Sequence, residues 1–189
     1  MKKITILMIL VFSIFSCDDI LKEVPKDRLS EANFYKTVSD GRAAVDAIYG
    51  VLSAGQLFAH QYLLQIEIPA DFAYGRGSTI PIGGEYTGLD AVNQRRVGLM
   101  WDYFYQAVNY ANIAIEKIPG IEGDESAKSL LVAEAKFLRA LCYYHLVRDF
   151  GAVPLRLNST DGDMARTPVA DVYNAVIADL QAAESGLPA

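Results

Sequence analysis

The sequence predicts an all-α protein: helical hairpins interrupted by one long irregular segment. Three observations carry that expectation. Residues 125–155 read ESAKSLLVAEAKFLRALCYYHLVRDFGAVPL, with apolar side chains on two rows instead of one. Upstream, Trp101, Phe104, Val108, Ala111, Ile115 and Ile118 recur at steps of three and four. Between residues 56 and 98, by contrast, Pro69, Pro81 and glycines at 75, 77, 83, 84 and 88 break any long periodicity.

The 125–155 stretch is expected to be an interior helix. Leu130, Ala133, Phe137, Ala140, Tyr144 and Val147 form one row, and Leu131, Ala135, Leu138, Cys142 and His145 form the next. A helix apolar on two sides packs between two neighbours. Polar residues are left a narrow strip at Lys136 and Arg139, with Phe137 expected inside and Lys128 at the surface. Gly151 and Pro154 supply the stop.

The preceding helix, 101–118, ends at Pro119-Gly120, and Gly123 lies in the short connection. Two long helices so joined pack antiparallel, as an αα-hairpin. Tyr105, Asn109, Asn112 and Glu116 form a polar row beside the apolar seam, and Trp101 falls on the seam itself and is assigned to the core. Nearer the start, Ser30 is expected to cap a short helix over 31–36, and Ser39 a longer one over 40–54. Ala44, Ile48 and Val51 share a face of the latter, flanked by Ala47 and Tyr49, and Gly55 closes it. After a polar loop over 158–166, Thr167 and Pro168 open a last helix as cap and first-turn proline. Its inward residues are expected to be Tyr173, Val176, Ile177, Leu180 and Ala183.

The 189 residues are one domain's worth of chain, and at 52% hydrophobic and 21% charged they can bury a core. The formal net charge of −6 argues against a nucleic-acid partner, which needs clustered Lys and Arg. It does not separate a neutral glycan from another uncharged ligand. Cys142, on an inward row, reads as a small core residue, and His145 as a core histidine. His60 and His145 have no partners at ligand spacing, so neither metal nor cofactor is expected.

Catalytic motifs are also missing. The chain has no Gly-x-Ser-x-Gly elbow, phosphate loop, dinucleotide fingerprint or His-Glu-x-x-His. A glycosidase needs two carboxylates flanking one bond. Asp71, Glu85 and Asp90 are available in the irregular segment, but loop spacing says nothing about their separation. The chain is read as not an enzyme.

Residues 1–16 read as a signal peptide: Lys2 and Lys3 precede an apolar run, Ile4 to Phe15, too short to span a membrane. The run ends Ile14-Phe15-Ser16-Cys17, which resembles a bacterial lipobox with Cys17 as the lipidated residue. Residues 17–29 then form a polar tether, beginning with Asp18 and Asp19, and residues 30–189 the helical domain. If Cys17 is modified, Cys142 has no disulfide partner. Each buried lipid methylene contributes about 0.8 kcal/mol, and two or more chains anchor stably where one does not.

The segment AEAKFLRALCYYHLVRDFGAVPL resembles the central signature of the SusD/RagB-like family of outer-membrane nutrient-binding lipoproteins. TPVADVYNAVIADLQAAESGLP resembles the family's next helix. EANFYKTVSDGRAAVDAIYGVL, IEIPADFAYG and WDYFYQAVNYANIAIEKI match more loosely, in family order. The resemblance implies tetratricopeptide-like hairpins, a partial SusD-like fold, and an amino-terminal portion of a longer protein. It implies export to the cell surface under the acidic signal Asp18-Asp19, a lipid anchor at Cys17, and no catalysis. The partners it implies are an oligosaccharide or polysaccharide and a SusC-like TonB-dependent transporter that receives it. The sequon Asn158-Ser159-Thr160 is set aside, because the family is bacterial.

Sugar binding requires an aromatic platform with polar groups that fix hydroxyls. The irregular segment offers Asp71, Tyr74, Arg76, Glu85 and Tyr86, with Asp90 beside them. Long irregular segments between helices either carry function or cover helix ends. The competing readings are a surface helical-repeat scaffold that binds protein without sugar, and a secreted hydrolase.

Overall fold

The computed structural model describes residues 34–70, 73–80 and 85–188, and the elements below all lie in the unit Tyr35–Ala189. Cys17, Asp18 and Asp19, and with them the proposed leader and tether, lie outside the described residues. Of the short helix expected over 31–36, residues 34–36 are described, and they form a bend.

The first described helix, α1, is Val38–Leu52. It starts earlier than the Ser39 reading placed it. Thr37 is the cap: its hydroxyl accepts from the Asp40 amide at 3.3 Å, and the Thr37 amide donates to the Asp40 carboxylate at 2.8 Å. This reciprocal box outcompetes a lone serine, because it satisfies two orphan amides at once. The helix buries Ala44, Val45, Ile48, Val51 and Leu52. Tyr49 stands outside, its hydroxyl donating to Glu134 at 2.9 Å. A short helix, α2 (Gln61–Glu67), follows inside the segment expected to be irregular.

Helix α3 runs Ala91–Lys117, ten residues longer at its start than the apolar seam predicts. Asp90 caps it, accepting from the Asn93 amide at 2.8 Å. The first turns carry no apolar stripe, since Asn93 is the sole buried residue before Met100. Downstream, Phe104, Ala107, Val108, Ala111 and Ala114 are buried, whereas Trp101 and Ile115 are half-buried. A 3-10 turn, Ile118–Gly120, leads to α4 (Glu125–Phe150), capped by Asp124. Trp101 meets Phe150 edge-on at 5.0 Å, which makes the α3–α4 pair the antiparallel hairpin expected. Gly151 ends α4 at φ +71°, a conformation that favours glycine.

Helix α4 packs against α1, α3 and α5 (Val169–Gly186), so it is interior. One expected row is corrected. Leu130, Phe137 and Tyr144 are 38–39% exposed, along a line left open between α1 and α5. Phe137 lines two shallow apolar grooves there, one with Tyr49, Phe58 and Leu141 and the other with Ile177, Leu180 and Leu187. The expected polar strip is corrected as well, because Arg139 is buried. Its Nε and Nη2 donate to the two Asp179 oxygens at 2.7 and 2.9 Å, and its Nη1 donates to Asn112 at 2.8 Å and to the Leu157 carbonyl at 2.9 Å. Lys128 is buried too, its ammonium donating to the carbonyls of Pro119 and Ile121.

Asp179 also turns α5 away from the expected face. The buried residues are Val172, Val176, Asp179 and Ala183, while Ile177 is 50% and Leu180 40% exposed. A buried carboxylate reads as surface, so the apolar pattern alone points the helix wrongly. Thr167 is likewise no cap: its amide donates to the Val153 carbonyl at 2.9 Å in an isolated bridge, and Pro168 takes the cap position. The polar row on α3 receives the loop between α4 and α5. Tyr105 donates to Pro154, Asn112 to Arg156, and Glu116 accepts from the Ser159 amide and hydroxyl.

Replacing one partner of the Arg139–Asp179 pair leaves the other charge buried. Arg139→Met is expected to cost about 3–5 kcal/mol in a denaturant melt, and Arg139→Met with Asp179→Leu appreciably less. Equal losses in the single and double variants would show that the ion pair is not what the site depends on.

Candidate functional site

The candidate loop sits at the amino-terminal end of α3. Asn93 there is fully buried. Its amide group donates to the Ser78 carbonyl at 3.0 Å and to Asp90 Oδ1 at 2.9 Å, while its oxygen accepts from Arg96 Nη1 at 2.8 Å. Arg96 Nη2 reaches the Ser78 hydroxyl, also at 2.8 Å. The loop closes on itself through Thr79, whose hydroxyl accepts from the Arg76 amide and donates to the Arg76 carbonyl, each at 2.8 Å. Gly75 is packed so closely that a Cβ would lie 2.5 Å from the Thr79 carbonyl oxygen, so no larger residue fits without moving the turn.

On this frame Tyr74 is 72% exposed and Arg76 is exposed. Glu85 and Tyr86 return nearby in the chain: the Glu85 amide donates to the Ile80 carbonyl at 3.0 Å, and the Tyr86 hydroxyl to Pro69 at 3.1 Å. Tyr86 is 63% exposed and held at φ +50°. Four of the five candidates are thus exposed, Arg76 and Glu85 on hydrogen-bonded backbone and Tyr86 held by its hydroxyl, while Asp71 lies outside the described residues. Asp90 is a helix cap, and Arg95 and Arg96 belong to α3 instead of the loop. Sequence reasoning missed Asn93. Its only signal was its position three residues after Asp90, where an N-cap side chain meets the helix amides.

A second cluster anchors the segment behind the loop. The Tyr62 hydroxyl on α2 contacts His145 Nδ1 and lies against the Asp149 carboxylate. His145 is half-buried, stacked on Phe104 at 5.8 Å between centroids and edge-on to Phe58, Tyr62 and Tyr144. Burial, then the Arg148 charge, pushes its pKa below the ordinary 6.5. Burial and then Asp149 push the Tyr62 hydroxyl up, and burial pushes Asp149 up. Cys142 is fully enclosed, and burial raises its thiol to about 12, so it is an inert core group.

Residues 82–189 match the SusD-like family model whose description is "Starch-binding associating with outer membrane". The chain belongs to the SusD-like family. Among its relatives, SusD-like protein P2 of Formosa agariphila is 32% identical over 196 residues, a match covering 100% of this chain and 39% of that protein. SusD-like protein P25 of the same organism is 28% identical, over 97% of this chain and 37% of its own. The chain therefore spans little more than a third of these relatives. Of solved structures, a laminarin-binding SusD-like protein superposes with a TM-score of 0.71 at 28% identity, over 82% of this chain and 35% of that one. A SusD superfamily protein from Bacteroides thetaiotaomicron gives 0.67 at 26% identity, over 82% and 36%. The all-α, partial SusD-like fold expected from the sequence is the fold observed.

The His145 cluster generates a pH dependence. The folded pKa lies below the unfolded one, so the unfolded chain binds the proton more readily, and stability is lost as pH falls through 6.5. Asp149, raised from 3.8 by burial, contributes with the opposite sign. The melting temperature is expected to drop as pH falls through about 6.5 and below, where the unfolded histidine takes up its proton, and His145→Phe to flatten that drop. An unchanged slope in the variant would assign the effect to other groups.

Proposed function

We propose that the protein is a cell-surface glycan-binding lipoprotein that captures oligosaccharides and hands them to a SusC-like TonB-dependent transporter without cleaving them. Residues 1–16 are its signal peptide, residues 17–29 a tether lipidated at Cys17 and exported under Asp18-Asp19, and residues 30–189 the amino-terminal part of its helical domain. The observation that carries the sugar-binding reading is the loop at the start of α3. Tyr74 and Tyr86 are among the most exposed aromatic rings described; Tyr74 precedes a turn closed by the Arg76–Thr79 hydrogen bonds, and the Tyr86 hydroxyl donates to the Pro69 carbonyl. A fixed, open aromatic face buries apolar sugar CH groups at little cost in ordering, and Arg76 and Glu85 lie close in sequence to supply directional bonds to hydroxyls. Family membership and the laminarin-binding neighbour support a neutral glycan as the ligand class.

One observation favours a second reading. The open apolar line Leu130–Phe137–Tyr144, with Ile177 and Leu180, suits a protein-interaction scaffold, since large exposed apolar patches mark contact surfaces. Carbohydrate binding separates the two readings.

The test is titration of the full-length protein with laminarin and with soluble starch. Tyr74→Ala or Tyr86→Ala is expected to weaken binding by about 0.5–1.5 kcal/mol beyond the lost contact area, and Arg76→Ala to weaken it separately by removing donors. If all three leave both glycan affinity and transporter association unchanged, the loop merely covers helix ends. For the anchor, Cys17→Ala is expected to abolish incorporation of a palmitate analogue in cells, and equal labelling of variant and parent would exclude lipidation there.

A further inference from the structure

We infer that Asn93 is a positioning residue for ligand binding: from inside the protein, without touching ligand, it holds the 73–80 loop in the geometry that presents Tyr74 and Arg76. This rests on the glycan-binding reading of that loop and adds to it the side chain on which the loop's placement depends.

The argument begins with burial. Asn93 is 0% exposed at a helix start whose other residues, up to Met100, are not buried. A buried primary amide is costly unless its donors and acceptor are matched. Both amide protons are engaged, one by the Ser78 carbonyl and one by Asp90 Oδ1, and the oxygen accepts from Arg96. The Ser78 carbonyl lies 15 residues back in sequence, so this bond ties the loop to α3. Arg96 adds a second tie to the Ser78 hydroxyl and is itself aimed by the Asn93 oxygen. Around Ser78 the backbone cannot easily relax, because the Thr79 hydroxyl bridges the amide and carbonyl of Arg76 and Gly75 packs on the Thr79 carbonyl. A shift at Ser78 is therefore passed to Arg76 and Tyr74 as a movement of the whole turn.

The chemistry requires asparagine. Aspartate has nearly the same shape and would still accept from Arg96. It cannot donate to Ser78, however, and it sets a second carboxylate against Asp90. Asn93→Asp thus removes the loop tie while leaving size and helix propensity nearly unchanged. The double variant Asp90→Asn with Asn93→Asp exchanges the two groups. It removes the facing pair of carboxylates and keeps a good helix cap, yet it still leaves the Ser78 carbonyl without its donor. This swap separates a role in starting α3 from a role in placing the loop.

The experiment uses the full-length protein, with laminarin and soluble starch as probes, and follows amide hydrogen exchange in parallel. Asn93→Asp is expected to lower affinity about tenfold, which is about 1.4 kcal/mol, and to speed exchange at the 73–80 amides while α4 stays protected. The swap is expected to recover part of the melting temperature lost in Asn93→Asp but neither affinity nor loop protection. Recovery of affinity in the swap, or parental affinity and loop exchange in Asn93→Asp, overturns the inference. Its failure is distinct from that of the functional reading. If Tyr74→Ala and Arg76→Ala weaken binding while Asn93→Asp does not, the loop is the site and Asn93 does not place it. If neither polysaccharide binds the parent, the glycan reading is lost, and loop exchange in Asn93→Asp and the swap alone decides whether Asn93 holds the loop.

Discussion

The arrangement of the helices depends on one guanidinium. Arg139 lies at the centre of α4 and is nearly inaccessible, yet all three of its nitrogens are used. Two of them grip the Asp179 carboxylate side by side, the geometry in which arginine binds carboxylate most strongly and with the least freedom. The third reaches α3 through Asn112 and the loop after α4 through Leu157. Asn112 in turn donates to the Arg156 carbonyl. One side chain therefore sets the rotation and register of α3, α4 and α5 together. Desolvating two charges gives back much of what their attraction supplies. The lack of a side chain at Gly186, where a Cβ would sit 2.6 Å from the Ala133 Cβ, lets α5 lie close against α4.

That register has two consequences at the surface. The antiparallel α3–α4 hairpin leaves the first turns of α3, up to Met100, without an apolar stripe, and the candidate loop is hung there. A loop joined to a rigid helix by buried hydrogen bonds can vary in its exposed residues without disturbing the core. On the other side, α1 and α5 flank α4 without closing over Phe137, so the apolar line Leu130–Phe137–Tyr144 remains open. The face that sequence periodicity assigns to the core is the one the packing leaves uncovered.

The exposure of the candidate residues was legible in advance because it depends on local chemistry. Glycines and prolines between 69 and 88 announce backbone that no helix can absorb, and tyrosines placed among them have no helix seam to pack into. Tyr74, Arg76, Glu85 and Tyr86 are all exposed. Asn93 was not legible. Asparagine at a helix start is common on surfaces, and nothing local distinguishes one whose amide is sealed against a carbonyl 15 residues away.

The same division runs through the fold. The extent of α4, its stop at Gly151, its pairing with α3 and the helical class follow from periodicity and breakers, which are properties of neighbouring residues along one chain. The start of α1 lay in the sequence too, in the Thr37–Asp40 box. What required the assembled structure was which side of each helix is buried. Periodicity counts charged side chains as surface, and here Arg139, Asp179 and Lys128 are inside because each finds partners from another element or turn. With those three turned inward, Phe137, Ile177 and Leu180 are turned out. A buried charge is stable only beside its partner, and that partner lies 40 residues away for Arg139 and Asp179. No window along the sequence contains both.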